Sequence, residues 1–547
     1  MRRGFPLTLA VALLGVSEAR GAWTDWKPIL RQTDPDDLLM AVEALSPRLF
    51  FAGGIQVKMT GGMFPTMKPV IYRSQDGGTT VQPILGGLSG AMGDFVSAIS
   101  MESLTSGMAA MGADAWITRN GATWQKVALP GIGEGQVGAI QALGGGEGVA
   151  VGSSGGAWRT LDGGASWSQV STGTRADLGC LFFRDRLRGW AAGAIVTEEE
   201  TEEMRTLLSY GDVVVLGTTD GGASWKVLAT LPPDSKADGA GGKTACPLFF
   251  LPDGRTGFLA LSRYDRDKGR AREALLYRTA DGGASWQDTG TDFQVGTLNM
   301  FMKMPIRVSY LAGMFWQDAD HGHLVGAADT GMSGSSGGGG GDQPIYRAVD
   351  MITLDGGRTW DKTDIGEISF NVGGGTMPQG DPRPTRARFL DWYTAWLVGE
   401  KGNVWWWDYK CIKQSQCLPG YRCEKREGDE HPRCYPDAGS PDGGSGETGG
   451  GGDLPGTRDA ATGEEAGGGD LVVLPDAGTC EGDCGPAGGS GGGCRASARG
   501  TGLLPALLVL AWLAGRAAKG RRGRSAPVAA TGGFRAREGS GRAQKTP

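Results

Sequence analysis

Histidine is almost missing from this chain, with three residues in 547. That scarcity excludes a histidine-rich metal centre. A Gly-Lys-Ser/Thr phosphate loop, a His-Glu-x-x-His zinc helix and a Gly-x-Ser-x-Gly nucleophile elbow are absent as well. Charge of one sign is also lacking. The formal net charge is −6, and basic residues cluster only at the extreme C-terminus. Such a balance leaves no nucleic-acid footprint, and no nucleic-acid partner or cofactor is expected. Cysteine is sparse before residue 410, where only Cys180 and Cys246 occur; seven more follow.

Glycine, at 98 residues, is what the chain has in excess, and it is used in two ways. Between about 50 and 400 it sits in short motifs beside β-branched and aromatic residues, as turns between strands do. From 437 to 500 it dominates with Asp, Ser, Pro and Glu. That stretch cannot bury enough apolar surface to offset ordering and reads as a flexible linker. At the N-terminus, Arg2 and Arg3 precede an apolar run from Phe5 to Val16, then Ser17 and Ala19. This is the layout of a secretory signal peptide over residues 1–19, cleaved after Ala19.

An octapeptide, Ser/Thr-x-Asp-Gly-Gly-x-Ser/Thr-Trp, recurs along the body. Clean copies centre on Asp162, Asp220, Asp281 and Asp355 and end on Trp167, Trp225, Trp286 and Trp360. Two copies are degenerate: one around Asp76 has Val81 in place of Trp, and one around Asn120 and Trp124 is a residue shorter. The spacings of 44, 42, 58, 61 and 74 residues fit four-stranded propeller blades with insertions. The insertions are visible at Glu198 to Glu203, Tyr264 to Arg272 and Gly331 to Gly341. In each copy the Asp is expected to accept backbone N–H groups two residues on, as an Asx-turn, with the glycines supplying positive φ and the Trp covering the turn. Turn chemistry accounts for these aspartates, so they are read as structural.

The repeats resemble the Asp-box, or bacterial neuraminidase repeat, of sialidases, sortilins, xyloglucanases and photosystem II assembly-factor propellers. The last group is most similar, because its blades also carry a Phe-x-Asp…Gly-Trp-x-x-Gly segment. Here that segment is Phe183, Asp185, Gly189, Trp190, Gly193; then Phe315, Asp318, Gly322, Leu324, Gly326; then Phe389, Asp391, Ala395, Trp396, Gly399. The resemblance covers residues 22–410 and implies an all-β propeller of about seven blades, with each box on the rim. After the sixth box only three strands remain, within Phe389 to Asp408. The segment from Trp23 to Ile29 has the Trp-led pattern that follows each box. It is therefore expected to complete the last blade and remove an exposed edge.

Cys411, Cys417, Cys423 and Cys434 fall within residues 411–436. In an exported chain they read as two disulfides stapling a small module, with three connectivities open. Cys180 and Cys246 precede the apolar runs at Leu181 and Leu248, as inner strands of adjacent blades, either paired or free. Beyond the linker come Cys494, an apolar run from Leu503 to Ala514, and Arg516, Lys519, Arg521, Arg522 and Arg524. That run would make about 18 Å of helix against a hydrocarbon core of about 30 Å. The order of spacer, Cys, short hydrophobic helix and Arg cluster resembles the MYXO-CTERM sorting tail. The resemblance assigns residues 501–524 as that helix and cluster, implies anchoring at Cys494 and a membrane partner, and places the protein at the cell surface. Residues 525–547 then form a disordered end, and Cys480 and Cys484 lie upstream as a second local pair.

Catalytic constellations are weak. Pro305-Ile306-Arg307 reverses a sialidase signature, and the Arg triad with its Tyr–Glu pair is not recognisable. His321-Gly-His323 would place two imidazoles on one strand face, without a third ligand. Trp405 and Trp407 share one strand face and Trp406 takes the other, so at least one could point away to stack on a sugar or protein partner, though packing between blades is the favoured reading. No catalytic or metal-binding residue is assigned. The reading is a non-enzymatic binding or assembly module for a protein or glycan ligand; the alternative is a secreted sialidase- or xyloglucanase-like glycoside hydrolase. N-terminal sequencing of the exported protein should begin at Arg20; a retained Met1 would remove the signal peptide from this scheme.

Overall fold

The structure is a computed structural model. It describes residues 26–28, 37–58, 66–84, 88, 94–200, 206–233, 243–265, 270–299, 303–334, 343–363, 365, 367–369, 382–408, 417, 421–426 and 432–436. The signal peptide, Trp23, Cys411, the linker, Cys494 and the sorting tail lie outside them. Among the described residues the chain is all-β, and no helix is long and apolar enough to cross a membrane.

Among the described residues, seven sheets of four or more strands follow one another along the chain, numbered here 1 to 7 and antiparallel except for one parallel pair in sheet 6, and a two-stranded ribbon ends the described part. Sheet 1 runs Leu38–Ala44, Phe50–Lys58, Thr66–Ser74, Gln82–Ile84, each strand pairing with the next. The first strands of sheets 2 to 7 are Val96–Met101, Val137–Gly144, Asp177–Phe183, Lys243–Phe250, Lys303–Trp316 and Pro384–Asp391. In such a sheet the first and third turns fall at one end and the middle hairpin and exit loop at the other. The octapeptides occupy the third turn, so they share one face of the molecule.

Each sheet buries both faces. Seven apolar clusters join the sheets pairwise. Trp116 is shared between sheets 1 and 2, Trp158 between 2 and 3, Leu178 between 3 and 4, and Phe250 between 4 and 5. Phe258 stacks on Trp316 between 5 and 6, Trp407 packs against Val325 between 6 and 7, and Trp396 meets Phe50 between 7 and 1. The succession closes on itself, which makes the fold a β-propeller.

The fourth strand of sheet 7 comes from the opposite end of the chain. Trp26–Pro28 pairs antiparallel with Val404–Asp408, in the register Trp26 to Trp407, Lys27 to Trp406 and Pro28 to Trp405. Trp26 is 4% exposed and stacks on Trp407 at 5.9 Å between ring centroids. The tryptophan run packs between sheets on both faces, as the favoured reading expected. Trp405 and Trp407 are buried against sheet 6, and Trp406 packs with Trp396 toward sheet 1. A propeller sheet has a neighbour on each face, so neither side of this strand points away from packing.

The inner strands are stitched to one another. Each carries a register shift near its start. At two of these shifts a hydroxyl bridges to the next sheet: Ser97 Oγ donates to the Val137 carbonyl at 3.1 Å, and Thr385 Oγ1 donates to the Leu39 carbonyl. Gly138 brings its backbone against the Leu178 carbonyl, where a Cβ would sit 2.2 Å away. Between sheets 4 and 5 the stitch is covalent, a Cys180–Cys246 disulfide. In the ribbon Cys417 bonds Cys434, and Cys423 is also in a disulfide.

The described parts of the insertions at Glu198, Tyr264 and Gly331 prolong middle hairpins. They give Gly189–Glu200 with Thr206–Thr218, Gly257–Asp265 with Arg270–Thr279, and Gly322–Gly334 with Gln343–Thr353. Neighbouring hairpins are tied together by Tyr210 against Tyr264, Arg270 with Asp329 at 2.9 Å, and Arg307 with Glu273 at 3.4 Å. Sheet 6 also gains two strands that sequence reading did not anticipate, Gln294–Asn299 and Glu367–Ser369. Truncating Trp26 to alanine empties the closing seam and should cost about 3–5 kcal/mol. Urea unfolding followed by tryptophan fluorescence would test this; an unchanged midpoint would show that the strand does not close the ring.

Candidate functional site

The octapeptide turns have one geometry, seen clearly in sheet 3. Gly163 and Gly164 take φ of 70° and 84°, a region open to glycine at little cost. Asp162 Oδ1 accepts the backbone N–H of Ser166 at 2.9 Å, and Oδ2 accepts its hydroxyl at 2.6 Å. Thr160 Oγ1 accepts the Gly164 N–H at 2.9 Å, and Trp167 Nε1 donates to the Gly164 carbonyl at 3.1 Å. The carboxylate and threonine bonds recur at Asp220, Asp281 and Asp355, and in part at Asp76, whereas the indole bond recurs at Trp286 and Trp360 but not at Trp225.

The expected reach is thereby corrected. The carboxylate spans four residues, because two glycines carry the chain around it. Only Asn120, in the shortened copy, bonds two and three residues on, at Ala122 and Thr123. Asx-turns do occur, but at the Phe-x-Asp segments, where Asp185, Asp253 and Asp318 each accept N–H groups two and three residues on.

Each turn also braces its own sheet. The Gly163 N–H donates to the Gly146 carbonyl in the first turn of sheet 3, and Gly221, Gly282 and Gly356 do the same in theirs. These aspartates are therefore saturated by local bonds. Hydrogen bonds from the Ser166 hydroxyl, the Ser166 N–H and Thr160 hold the Asp162 carboxyl well below the usual range, at about 2. Asp281 and Asp355 are lowered to about 2 for the same reasons, the Ser285 and Thr359 hydroxyls leading.

The other sequence candidates are separated from one another. His321 Nδ1 lies 2.8 Å from Asp318, whereas His323 is fully buried against Asp350. The two imidazoles do not converge, and among the described residues no group of three or more potential ligands could hold a metal. Arg307 pairs with Asp292 and Glu273 instead of joining an arginine triad.

A cleft of about 620 Å³ opens on the face opposite the octapeptide turns, at the exit end of sheet 3. Its walls are the short middle turn Ser153–Gly155–Gly156, the exit loop from Gln169 to Arg175, and Gly131 and Ile132 of the preceding exit loop. Trp158 forms the floor, 1% exposed, with Nε1 donating to the Pro130 carbonyl at 2.8 Å. Thr172 Oγ1 ties the two main walls by donating to the Gly155 carbonyl at 2.7 Å. Gly155, at φ 74°, could not carry a side chain, since a Cβ would lie 2.0 Å from the Thr174 carbonyl oxygen.

Ser154, Gln169, Ser171 and Arg175 are exposed at the mouth. Among the described residues lining the cleft none is acidic and Arg175 alone is charged. The cleft sits low because sheet 3 has a four-residue middle turn, while sheet 4 beside it raises a long hairpin. Sequence reading missed these residues. A run such as Ser171-Thr-Gly-Thr-Arg175 is indistinguishable from any other polar turn until its neighbours are known.

No protein-family model matches the chain, and no curated protein does. Solved structures are similar at a distance. A YCF48 protein bound to a D1 peptide is 13% identical with a TM-score of 0.43, over 71% of this chain and 96% of its own. YCF48 from Cyanidioschyzon merolae is 12% identical with a TM-score of 0.41, over 70% and 98%. A GH74 xyloglucanase from Xanthomonas campestris is 14% identical with a TM-score of 0.43, over 71% of this chain and 54% of the enzyme. None of these likenesses bears on what this chain binds or does.

The depressed carboxyls carry a pH prediction. A folded-state value lowered to about 2 gives stability that is complete above the unfolded value of about 4 and is lost as pH falls toward 2. Melting temperature should therefore fall between pH 4 and 2. The triple variant Asp162→Ala, Asp281→Ala, Asp355→Ala should melt lower at pH 7 and show a shallower fall. An identical profile would mean that these carboxylates do not hold the turns.

Proposed function

We propose that this protein is an exported, surface-tethered propeller of seven blades that binds a protein or glycan ligand on its hairpin face without chemical turnover. The seven sheets would be the blades and the octapeptides their Asp-box turns. The ribbon at 421–436 would belong to a disulfide module spanning 411–436, and residues 437–524 would supply the tether, with Cys494 as the anchoring position. Disulfides at Cys180–Cys246 and Cys417–Cys434 are in keeping with an oxidising compartment.

The cleft in sheet 3 carries the binding reading. Its described lining is mostly Gly, Ser and Thr, with Arg175 as the one charged residue. Hydrolysis of a glycosidic bond needs two opposed carboxyl groups about 5 to 9.5 Å apart, and this lining supplies neither. The repeated aspartates are committed to turns on the opposite face. With exposed hydroxyls, an amide and a guanidinium, the lining suits a polar ligand that brings a negative charge to Arg175.

A glycan array and a glycosidase panel on the secreted chain would test this, with Ser171→Trp as the blocking variant. Ser171 is exposed, so the substitution should leave stability within about 0.5 kcal/mol. It should weaken ligand binding at least tenfold. Turnover of any polysaccharide would overturn the non-enzymatic reading, and undiminished binding by the variant would move the site elsewhere on the ring.

A further inference from the structure

Outside the cleft, one pair of titratable groups among the described residues has no exposure at all. His323 and Asp350, both 0% exposed, lie on adjacent strands of sheet 6, with Nε2 against Oδ1. Among the described residues, His323 Nδ1 and Asp350 Oδ2 have no hydrogen-bond partner. The wall facing the imidazole belongs to sheet 7. Trp407 is 4.1 Å away between ring centroids, Phe389 4.8 Å and Trp392 6.4 Å. Trp407 is the ring on which Trp26 of the closing strand stacks. The pair therefore sits in the seam where the ring is completed.

We infer that His323 and Asp350 form a one-proton latch on this seam, which is tightest in mildly acidic medium and loosens as pH rises. The contact holds one proton beyond neutral imidazole plus carboxylate, either as imidazolium with carboxylate or as imidazole with carboxylic acid. Both forms have no net charge. A neutral imidazole could donate the same bond to a carboxylate. That would leave a buried negative charge whose second oxygen has no donor, among aromatic rings, which is costly. A second proton would leave an equally unpaired cation.

Among the described residues, the other ionisable groups near this seam are engaged elsewhere, Tyr310 by donating its hydroxyl to the Pro384 carbonyl. His321 is turned to Asp318, and Asp329 farther along the strand pairs with Arg270. Arg386 and Arg388 stand opposite Val398 and Trp396, residues of the seam with sheet 1, where Arg388 binds Glu43. On the strand of Asp350, Arg347 is three residues away and so lies on the other face. In an open seam, Asp and His titrate near their solvent values of about 3.9 and 6.5. Opening above about pH 6.5 then releases the proton, so the open population should rise about tenfold per pH unit. Below about pH 3.9 opening takes up a proton and the trend reverses.

Native-state hydrogen exchange on the full secreted chain, corrected for intrinsic rates, would measure this directly. From pH 6.5 to 8.5, amides of Thr394–Gly399 and Val404–Asp408 should show an opening equilibrium that rises about fiftyfold. Amides at the seam of sheets 2 and 3 should not. Asp350→Asn keeps the hydrogen bond without needing the proton and should abolish the pH slope. A flat wild-type profile, or an unchanged slope in Asp350→Asn, overturns the latch. Should the variant not fold, nitrogen-15 spectra of the wild type decide, since the chain has three histidines. With aspartate carbon-13 signals they should show one proton held by the pair from pH 5 to 8. A neutral His323 beside an ionised Asp350 at pH 7 overturns the proposal.

Discussion

A sheet with two apolar faces cannot stand alone in water, and everything else in this protein follows from how that constraint is met. Each sheet lends one face to the sheet before it and one to the sheet after. Large rings fill the seams: Trp116, Trp158, Trp316, Trp396 and Trp407 are all less than 2% exposed. Such an arrangement has no natural end. It is satisfied only when the last sheet meets the first, and here the chain does so with a strand of three residues, Trp26–Pro28. The stitches between inner strands hold the same ring from inside, by hydroxyl at Ser97 and Thr385 and by disulfide at Cys180.

Closure also divides the molecule into two faces with different chemistry. On one face each octapeptide spends its carboxylate, hydroxyl and glycine conformations on holding a turn and bracing the sheet's first turn. Little reactivity is left there. On the other face, hairpin length is free to vary, because lengthening a middle hairpin does not disturb a seam. Sheets 4, 5 and 6 have used that freedom and tied their hairpins with tyrosines and ion pairs. Sheet 3 has not, and the cleft lies in the step between low and high sheets. Among its described residues the cleft lining presents hydroxyls, the Gln169 amide and the Arg175 guanidinium.

The fold was largely legible because its repeat is written in turn residues. An Asp-Gly-Gly followed by a hydroxyl and Trp has few solutions, and it occurs at intervals that match four strands. The completing N-terminal strand was legible for the same reason, as a Trp-led segment missing from the end of the chain. The inner-strand cysteines were legible by position though not by pairing. Less visible was the use of each group. The Asx-turn lay in the Phe-x-Asp segment, and the box carboxylate reached four residues.

What the sequence by itself determined is local: turns set by Asp, Gly and Thr within a few residues, strand alternation, and the number of repeats. The tertiary structure alone decided which groups meet. Gln169 and Arg175 share a cleft with Gly131 because consecutive exit loops lie side by side on one rim. His323 faces Asp350 from the next strand and Trp407 from the next sheet, and Trp407 in turn meets Trp26 from the far end of the chain. These encounters depend on ring closure, a condition on all seven sheets together, and no short stretch of residues carries it.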